Sequence, residues 1–429
     1  MQSLKTDTTP GVRRWSPALA GAIIAAVLCG PPGPTGEAPD DLLLLTLAPP
    51  ASEPSGAAPA AGLRIALGDA RGGEPTLLSG GFWEARSPSP SFDGRHFLFQ
   101  GRQRRSDDPS IWEGRMNGSG KRHITDGNGH PDHPAFLPDG RIVYSDRPQG
   151  DGEREIDVRA LFSCAAGGSD TRRLTFGWHL DTRPEVLPDG RVRFQRRPLN
   201  ADPLDEPQFM TIRPDGTGIA PWAGEPCGCD HPVPDQLTAG ELGGDVLRAD
   251  PAAPRERPPI LTSVVQEEKE TGTLLCLNVY ESRLPEVAML PAGAIRQVRV
   301  AAVGPPASVS GGMSEWPAAV GMTDGEPFVA LAPVHADGSF MIEVPADTPL
   351  RIDLIDEREQ VLAALTSGLW VRPNENRGCI GCHENPEIAP GNRLPLAVSE
   401  TSGAVRDGAV AGQDDDAAAA SAAGGSGAR

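Results

Sequence analysis

The sequence predicts an all-β chain built as two successive β-rich domains, and three observations carry that prediction. Gly (51) and Pro (45) are abundant among the 429 residues, so the chain turns often. Few stretches hold an apolar period of 3.6 residues long enough for a core helix, which argues against a helical fold. Short apolar runs instead recur on either side of Asp-Gly and Gly-rich turns, the pattern of antiparallel hairpins.

The first thirty residues stand apart. Arg13 and Arg14 precede the apolar run from Ala18 to Gly30, and Pro31-Pro32 ends it, a basic segment followed by a hydrophobic one as in a signal peptide. The run is too short and too rich in small residues for a membrane-spanning helix. Residues 1–30 therefore read as a cleaved signal peptide, with retention as an N-terminal anchor the alternative, and the mature chain is expected to be periplasmic or otherwise extracytoplasmic without a membrane span. Cys29 offers a lipoprotein site, but Leu28 stands where such a site wants a small residue. Residues 31–61 are Pro-, Ala- and Gly-rich and read as a linker, interrupted by the Leu42–Leu47 run, which is either leftover leader or a short strand.

From residue 62 a repeat begins. Pro90-Ser-Phe-Asp93-Gly94-Arg-His-Phe-Leu-Phe99 is echoed at Pro134 through Asp139-Gly140 to Tyr144, and at Pro184 through Asp189-Gly190 to Phe194. A second hairpin follows each, turning at Asn117–Gly120, Gly167–Ser169 and Pro214–Gly216, and the first two of these lead into Ile124-Thr125 and Leu174-Thr175. Two hairpins per period make a four-stranded propeller blade. These runs resemble the blades of TolB-type, WD40-like β-propellers over residues 62–250, with roughly four blades and a closing strand expected at Leu63–Leu67. His123, His130, His133 and His179 fall near the predicted blade edges, where they read as polar residues closing turns rather than as a metal site.

Beyond the Pro-rich stretch from Pro251 to Pro259, alternation in Thr273–Tyr280, Ile295–Val300, Phe340–Val344 and Leu350–Leu354 predicts a half-buried antiparallel sheet or sandwich. This second domain spans 260–395, and the low-complexity segment 396–429 is expected to be a disordered tail.

Cys379-Ile-Gly-Cys382-His383 carries the chemistry. Two thiols three positions apart can bond the two vinyl groups of one haem, and the imidazole next to them can ligate its iron. The motif thus predicts one covalent haem c held by Cys379 and Cys382, with His383 as proximal iron ligand. His335, ahead of Asp337-Gly338 in the same domain, is the candidate distal ligand. A zinc site would need a fourth ligand from Cys227, Cys229 or His231, and a dithiol redox pair would be expected where a strand enters a helix, so both are the lesser readings. Cys276, amid Leu274, Leu275, Leu277 and Val279, reads as a buried small hydrophobe.

The formal charge of −19 argues against nucleic-acid binding and against electrostatic docking on anionic lipid. The partner expected is a redox protein. No phosphate-cradling glycine loop, Ser-His-Asp order or paired-carboxylate motif stands out.

The runs Gly272–Ser282, Ala294–Val300, Val334–Phe340, Val344–Leu350 and Arg377–Glu384 together resemble the hydrazine synthase alpha subunit middle-domain family. That resemblance implies a β-rich, haem-bearing domain behind a propeller in an exported bacterial protein. The family's enzyme is multihaem, whereas this chain has one CxxCH. The expectation is therefore a single-haem electron carrier or redox sensor whose propeller recruits a partner, the alternatives being a haem enzyme acting on a small nitrogenous substrate and a non-catalytic binding module.

Overall fold

The computed structural model describes residues 42–49, 62–125, 129–148, 158–199, 206–222, 238–282, 284–303, 329–380 and 394–399. The leader, the residues from 400 onward, Cys227, Cys229, His231, Cys382 and His383 lie outside them.

Among the described residues, four antiparallel four-stranded sheets form the propeller blades. Blade II runs Glu84–Pro90, His96–Arg102, Ser110–Arg115, Arg122–His123 from the centre outward, blade III Asp132–Phe136, Ile142–Asp146, Ala160–Cys164, Arg172–Arg173, and blade IV His179–Val186, Val192–Pro198, Gln208–Ile212, Ala220–Pro221. The repeated residues explain the repeated geometry. In blade III the Gly140 N–H donates to Leu137 O at 3.0 Å and the Arg141 N–H to Asp139 Oδ1 at 3.0 Å. Gly140 itself sits at φ 90°, where a side chain would be strained. The Leu-Thr element also has a mechanical role: Thr125 and Thr175 hydroxyls accept the N–H groups of Ile111 and Leu161, each at 2.9 Å, so the outermost strand ends are tied to their neighbours.

Blade I departs from the sequence reading. Leu42–Leu47, assigned to the linker on composition, is its second strand, paired with Arg64–Asp69 on one side and Val246–Pro251 on the other. Thr76–Leu77 is outermost. The closure therefore joins the chain's two sides through Leu42–Leu47 and Val246–Pro251, with 64–69 one strand further out than a closing strand would be. The physical reason is burial on both faces: Leu44 faces one core and Leu45 and Leu47 another, all fully enclosed, so this strand shows a continuous apolar run instead of alternation.

The second domain is a two-sheet sandwich. One sheet orders Phe340–Pro345, Thr271–Cys276, Asn376–Cys379; the other Val329–Pro333, Gln297–Ala302, Leu350–Ile355, Val361–Leu369. Leu274, Ile342 and Val344 of the first meet Val298, Val300 and Leu354 of the second in one core. The alternation seen in sequence is this inward face. One pairing is not antiparallel: Thr271–Cys276 and Asn376–Cys379 run parallel. Residues 396–399, included in the expected tail, form a short helical turn, Leu396–Ser399, with Ala397 buried.

The two domains share a core. Trp370, at the end of the second domain's last long strand, is fully buried among Leu137, Val143, Leu161, Phe194 and Ile212 of blades III and IV. Close approach continues at Gly368, where an added Cβ would lie 2.5 Å from His179 Cε1.

Candidate functional site

Cys379 ends an edge strand. Its sheet neighbour is Cys276, with which it pairs in register, and beyond Cys276 lies Phe340. The backbone continues the pairing past both strands: Leu277 N–H donates to Cys379 O at 2.9 Å and Asn278 N–H to Ile380 O at 3.1 Å. Cys276 is buried, as its apolar neighbours suggest, and Cys379 is half-buried. Neither is in a disulfide.

The turn bearing His335 closes the same end of this sheet. Gly338 N–H donates to His335 O at 2.9 Å, and Val279 N–H donates to Gly338 O at 2.9 Å, which fixes the turn against the segment following Cys276. The chain on the far side of the CxxCH segment returns to that turn: Leu396 N–H donates to Asp337 Oδ2 and Ala397 N–H to Ser339 Oγ, both at 3.0 Å. Ile380 and Leu396 therefore tether both ends of the segment that carries Cys382 and His383 to one sheet end, and His335 stands there.

Of the three motif residues that would hold a haem, Cys379 lies among the described residues, and a thiol there suits that role. A half-buried thiol sits on an edge strand, and next to it Gly378 presents bare backbone: a Cβ built there would meet nothing within 4 Å. Gly378 and Cys379 are adjacent along the strand and present their substituents to opposite faces, so the open side of Gly378 lies across the strand from the thiol. No group of three or more His, Cys, Asp or Glu arranged to hold a bare metal ion occurs among the described residues.

Sequence reasoning missed what anchors this strand. Arg372 Nη1 makes a bidentate pair with Asp347, both contacts 2.7 Å, its Nη2 reaches Glu267 at 3.2 Å and its Nε donates to Asp215 O at 3.2 Å in the outer turn of blade IV. Glu375 accepts the Arg372 N–H at 2.8 Å through one oxygen and the Gly218 N–H at 3.0 Å through the other. Arg377 reaches Ile219 O. Burial pushes the Asp347 carboxyl upward and the Arg372 guanidinium opposes it. The strand leading to Cys379 is thus fastened to the propeller at three residues in six. The signal available in sequence was the dense run Trp370-Val-Arg-Pro-Asn-Glu375 directly before the motif, which has no period to read.

The four histidines separate. His123 packs its ring on Trp112 at 4.6 Å on the outermost strand of blade II. His130 is held through its backbone, donating to Asp146 Oδ1 at 2.8 Å. His133 and His179 are not turn-closing residues: His133 lines the propeller's central cavity and His179 is buried against the second domain. Burial lowers both imidazoles to about 4, so both are neutral at pH 7.

Residues 293–384 match the family described as the hydrazine synthase alpha subunit middle domain. A curated relative, hydrazine synthase subunit alpha of Kuenenia stuttgartiensis, is 33% identical over 93 residues, 20% of this chain and 12% of that protein. The solved hydrazine synthase of Kuenenia stuttgartiensis superposes with a TM-score of 0.63 over 85% of this chain and 72% of that one, at 15% identity, and shares its fold. TolB from Acinetobacter baumannii overlaps 72% of this chain and 64% of its own, at 15% identity and a TM-score of 0.33. The sequence similarity to the hydrazine synthase alpha subunit thus lies in the second domain and spans about an eighth of that protein's length.

Proposed function

We propose that this chain is an exported, single-haem c protein that passes or senses electrons, with the propeller as the surface that recruits its redox partner. Cys379 and Cys382 would hold one haem covalently through thioether bonds, and His383 would ligate its iron. The haem supplies a one-electron iron couple. The chain's own residues would hold it: the edge strand places Cys379, Asn278 ties Ile380 on one side of the motif and the 335–339 turn ties Leu396 and Ala397 on the other, and His335 is the candidate second iron ligand.

The observation that carries this reading is the placement of the half-buried Cys379 thiol at the end of an edge strand whose approach is anchored by Arg372 and Glu375. An electron carrier needs its cofactor near the surface and its surroundings fixed, so that little reorganises when charge changes; a half-buried thiol on an anchored edge strand is consistent with both requirements. In a strain that matures cytochromes c, Cys382→Ala is expected to abolish haem staining after denaturing electrophoresis, and staining at the wild-type level refutes the proposal.

The match of residues 293–384 favours one second reading, a haem enzyme acting on a small nitrogenous substrate. It requires an open iron position. Rapid carbon monoxide binding by the reduced protein supports it, and a low-spin spectrum indifferent to carbon monoxide supports electron transfer.

A further inference from the structure

The innermost strands of blades II, III and IV share an irregularity that repeats as regularly as the Asp-Gly turns. Ser87, His133 and Arg183 occupy left-handed backbone, at φ 52°, 51° and 53°, and each directly precedes a proline, Pro88, Pro134 or Pro184. Each marks a break in strand register, between Arg86 and Ser89, Asp132 and Ala135, and Thr182 and Glu185. Non-glycine residues in this region are costly, and a following proline disfavours it further. A bulge of this type re-aims a side chain. All three residues line one cavity of about 790 Å³ bounded by strands of all four blades.

The charge of that cavity opposes the charge of the chain. Three of its arginines are matched by carboxylates: Arg86 lies 3.2 Å from Asp132, Arg248 lies 2.7 Å from Asp250, and Arg193 pairs with Glu185. Two more are not so matched. Among the described residues Arg183 has no hydrogen-bond or ion-pair partner, and Arg255 donates to Pro90 O at 3.2 Å without a carboxylate in ion-pair contact. His133 adds an enclosed Nδ1 with no hydrogen-bond partner, 3.4 Å from Asp132 Oδ1 but out of line with it. A chain of net charge −19 thus holds a concave site with two surplus guanidiniums. Both guanidiniums are solvent-exposed, so a ligand can reach them from solution, and the field they present is the ordinary attraction of exposed cations for an anion. Pro88, Val186, Phe209 and Leu247 give the same cavity an apolar lining, and its volume suits an organic molecule rather than a bare ion.

We propose that the propeller cavity binds a small organic dianion, a dicarboxylate-like molecule whose acidic groups meet Arg183 and Arg255 and whose carbon skeleton lies against the apolar wall. The bulges serve this site by turning Arg183 and His133 toward the ligand. The site is independent of the haem and stands or falls without it.

The test is isothermal titration of the purified full-length protein with succinate and with citrate, against inorganic phosphate and against sodium chloride at equal ionic strength. Saturable binding of succinate or citrate is expected. Arg183→Asn, which tolerates left-handed backbone, should weaken it about tenfold or more, as loss of one charged hydrogen-bonding group does. Arg255→Gln should do likewise and decides the matter if Arg183→Asn does not fold; Arg104→Asn, in the exposed turn after residue 102, should leave it unchanged. Absence of saturable binding, equal binding by Arg255→Gln and Arg183→Asn, or heats that chloride reproduces would overturn the proposal. Saturable binding of phosphate alone would overturn its organic part.

Discussion

Trp370→Ala is the perturbation that tests whether the two domains are one cooperative body. Trp370 is fully buried, yet its neighbours Leu137, Val143, Leu161, Phe194 and Ile212 belong to the propeller. An aromatic side chain of this class buries about 200 Å² of surface, which at about 25 cal/mol per Å² corresponds to about 5 kcal/mol. Measured truncations of buried aromatic residues cost about 3–5 kcal/mol, because the cavity left behind closes only in part. Two further contacts disappear with the ring: Phe176 edge-on at 5.9 Å and the Arg196 guanidinium over the face at 5.3 Å. That guanidinium is itself buried in a bidentate pair with Asp181, at 2.7 and 2.8 Å, so the lost ring uncovers an ion pair as well as a cavity. A loss of about 4 kcal/mol is expected, within the aromatic truncation range. Urea titration followed by circular dichroism measures it, and calorimetry should show one transition in the parent splitting into two in the variant. Trp370→Phe should recover most of the loss. A cost below about 1 kcal/mol, where surface substitutions lie, or a single unshifted transition would refute the shared core.

Three other outcomes follow from the same contacts. Burial, with the Arg196 guanidinium adding to it, holds His179 at about 4 against an ordinary 6.5, so the unfolded chain binds the extra proton first as pH falls. Stability should therefore be constant above pH 6.5 and decline toward pH 4, by on the order of 3 kcal/mol from His179 for a shift of that size; His133, lowered equally, adds a like amount, so His179→Asn should remove about half of the decline, and an unchanged acid titration would contradict the assignment. Glu375→Gln should lower stability by about 1–3 kcal/mol, the cost of unsatisfying a charged acceptor, and should raise protease cleavage near the CxxCH segment if the anchor is what orders it. Cys276→Ala should leave haem staining unchanged, since Cys276 is a packed neighbour of Cys379 and not an attachment point; loss of stain together with retained folding would reassign it.

What could be read from the sequence is what local chemistry dictates. The Asp-Gly turns were legible because one carboxylate capping one N–H and one glycine at positive φ form a complete local device, repeated in blades II, III and IV. The sandwich strands were legible because one face of each meets the core. Leu42–Leu47 was not, since a strand buried on both faces loses its alternation and this one is embedded in linker-like composition. The parallel pairing of Thr271–Cys276 with Asn376–Cys379 joins residues about a hundred positions apart, and no local pattern encodes which strands become neighbours. His179 and Trp370 were hidden for the same reason: each acquires its role only from the other domain.

The anchoring of the motif strand links these domains to the function proposed. Arg372, Glu375 and Arg377 contact the outer turn of blade IV, at Asp215, Gly218 and Ile219, while Cys379 ends the same strand four residues beyond Glu375. A partner seated on the propeller near that turn would lie against the element that carries the proposed haem attachment site, and the proposed electron path and docking surface would be mechanically one piece. Arg372→Met separates the two contributions. It removes the contacts to Asp347, Glu267 and Asp215 together and leaves the Asp347 carboxylate without its pair, while the thiols remain. Haem staining should persist, and the midpoint potential should broaden or shift because the attachment strand is no longer held against the propeller. If staining and potential both match the parent, the anchor is structural only and the propeller does not govern the site.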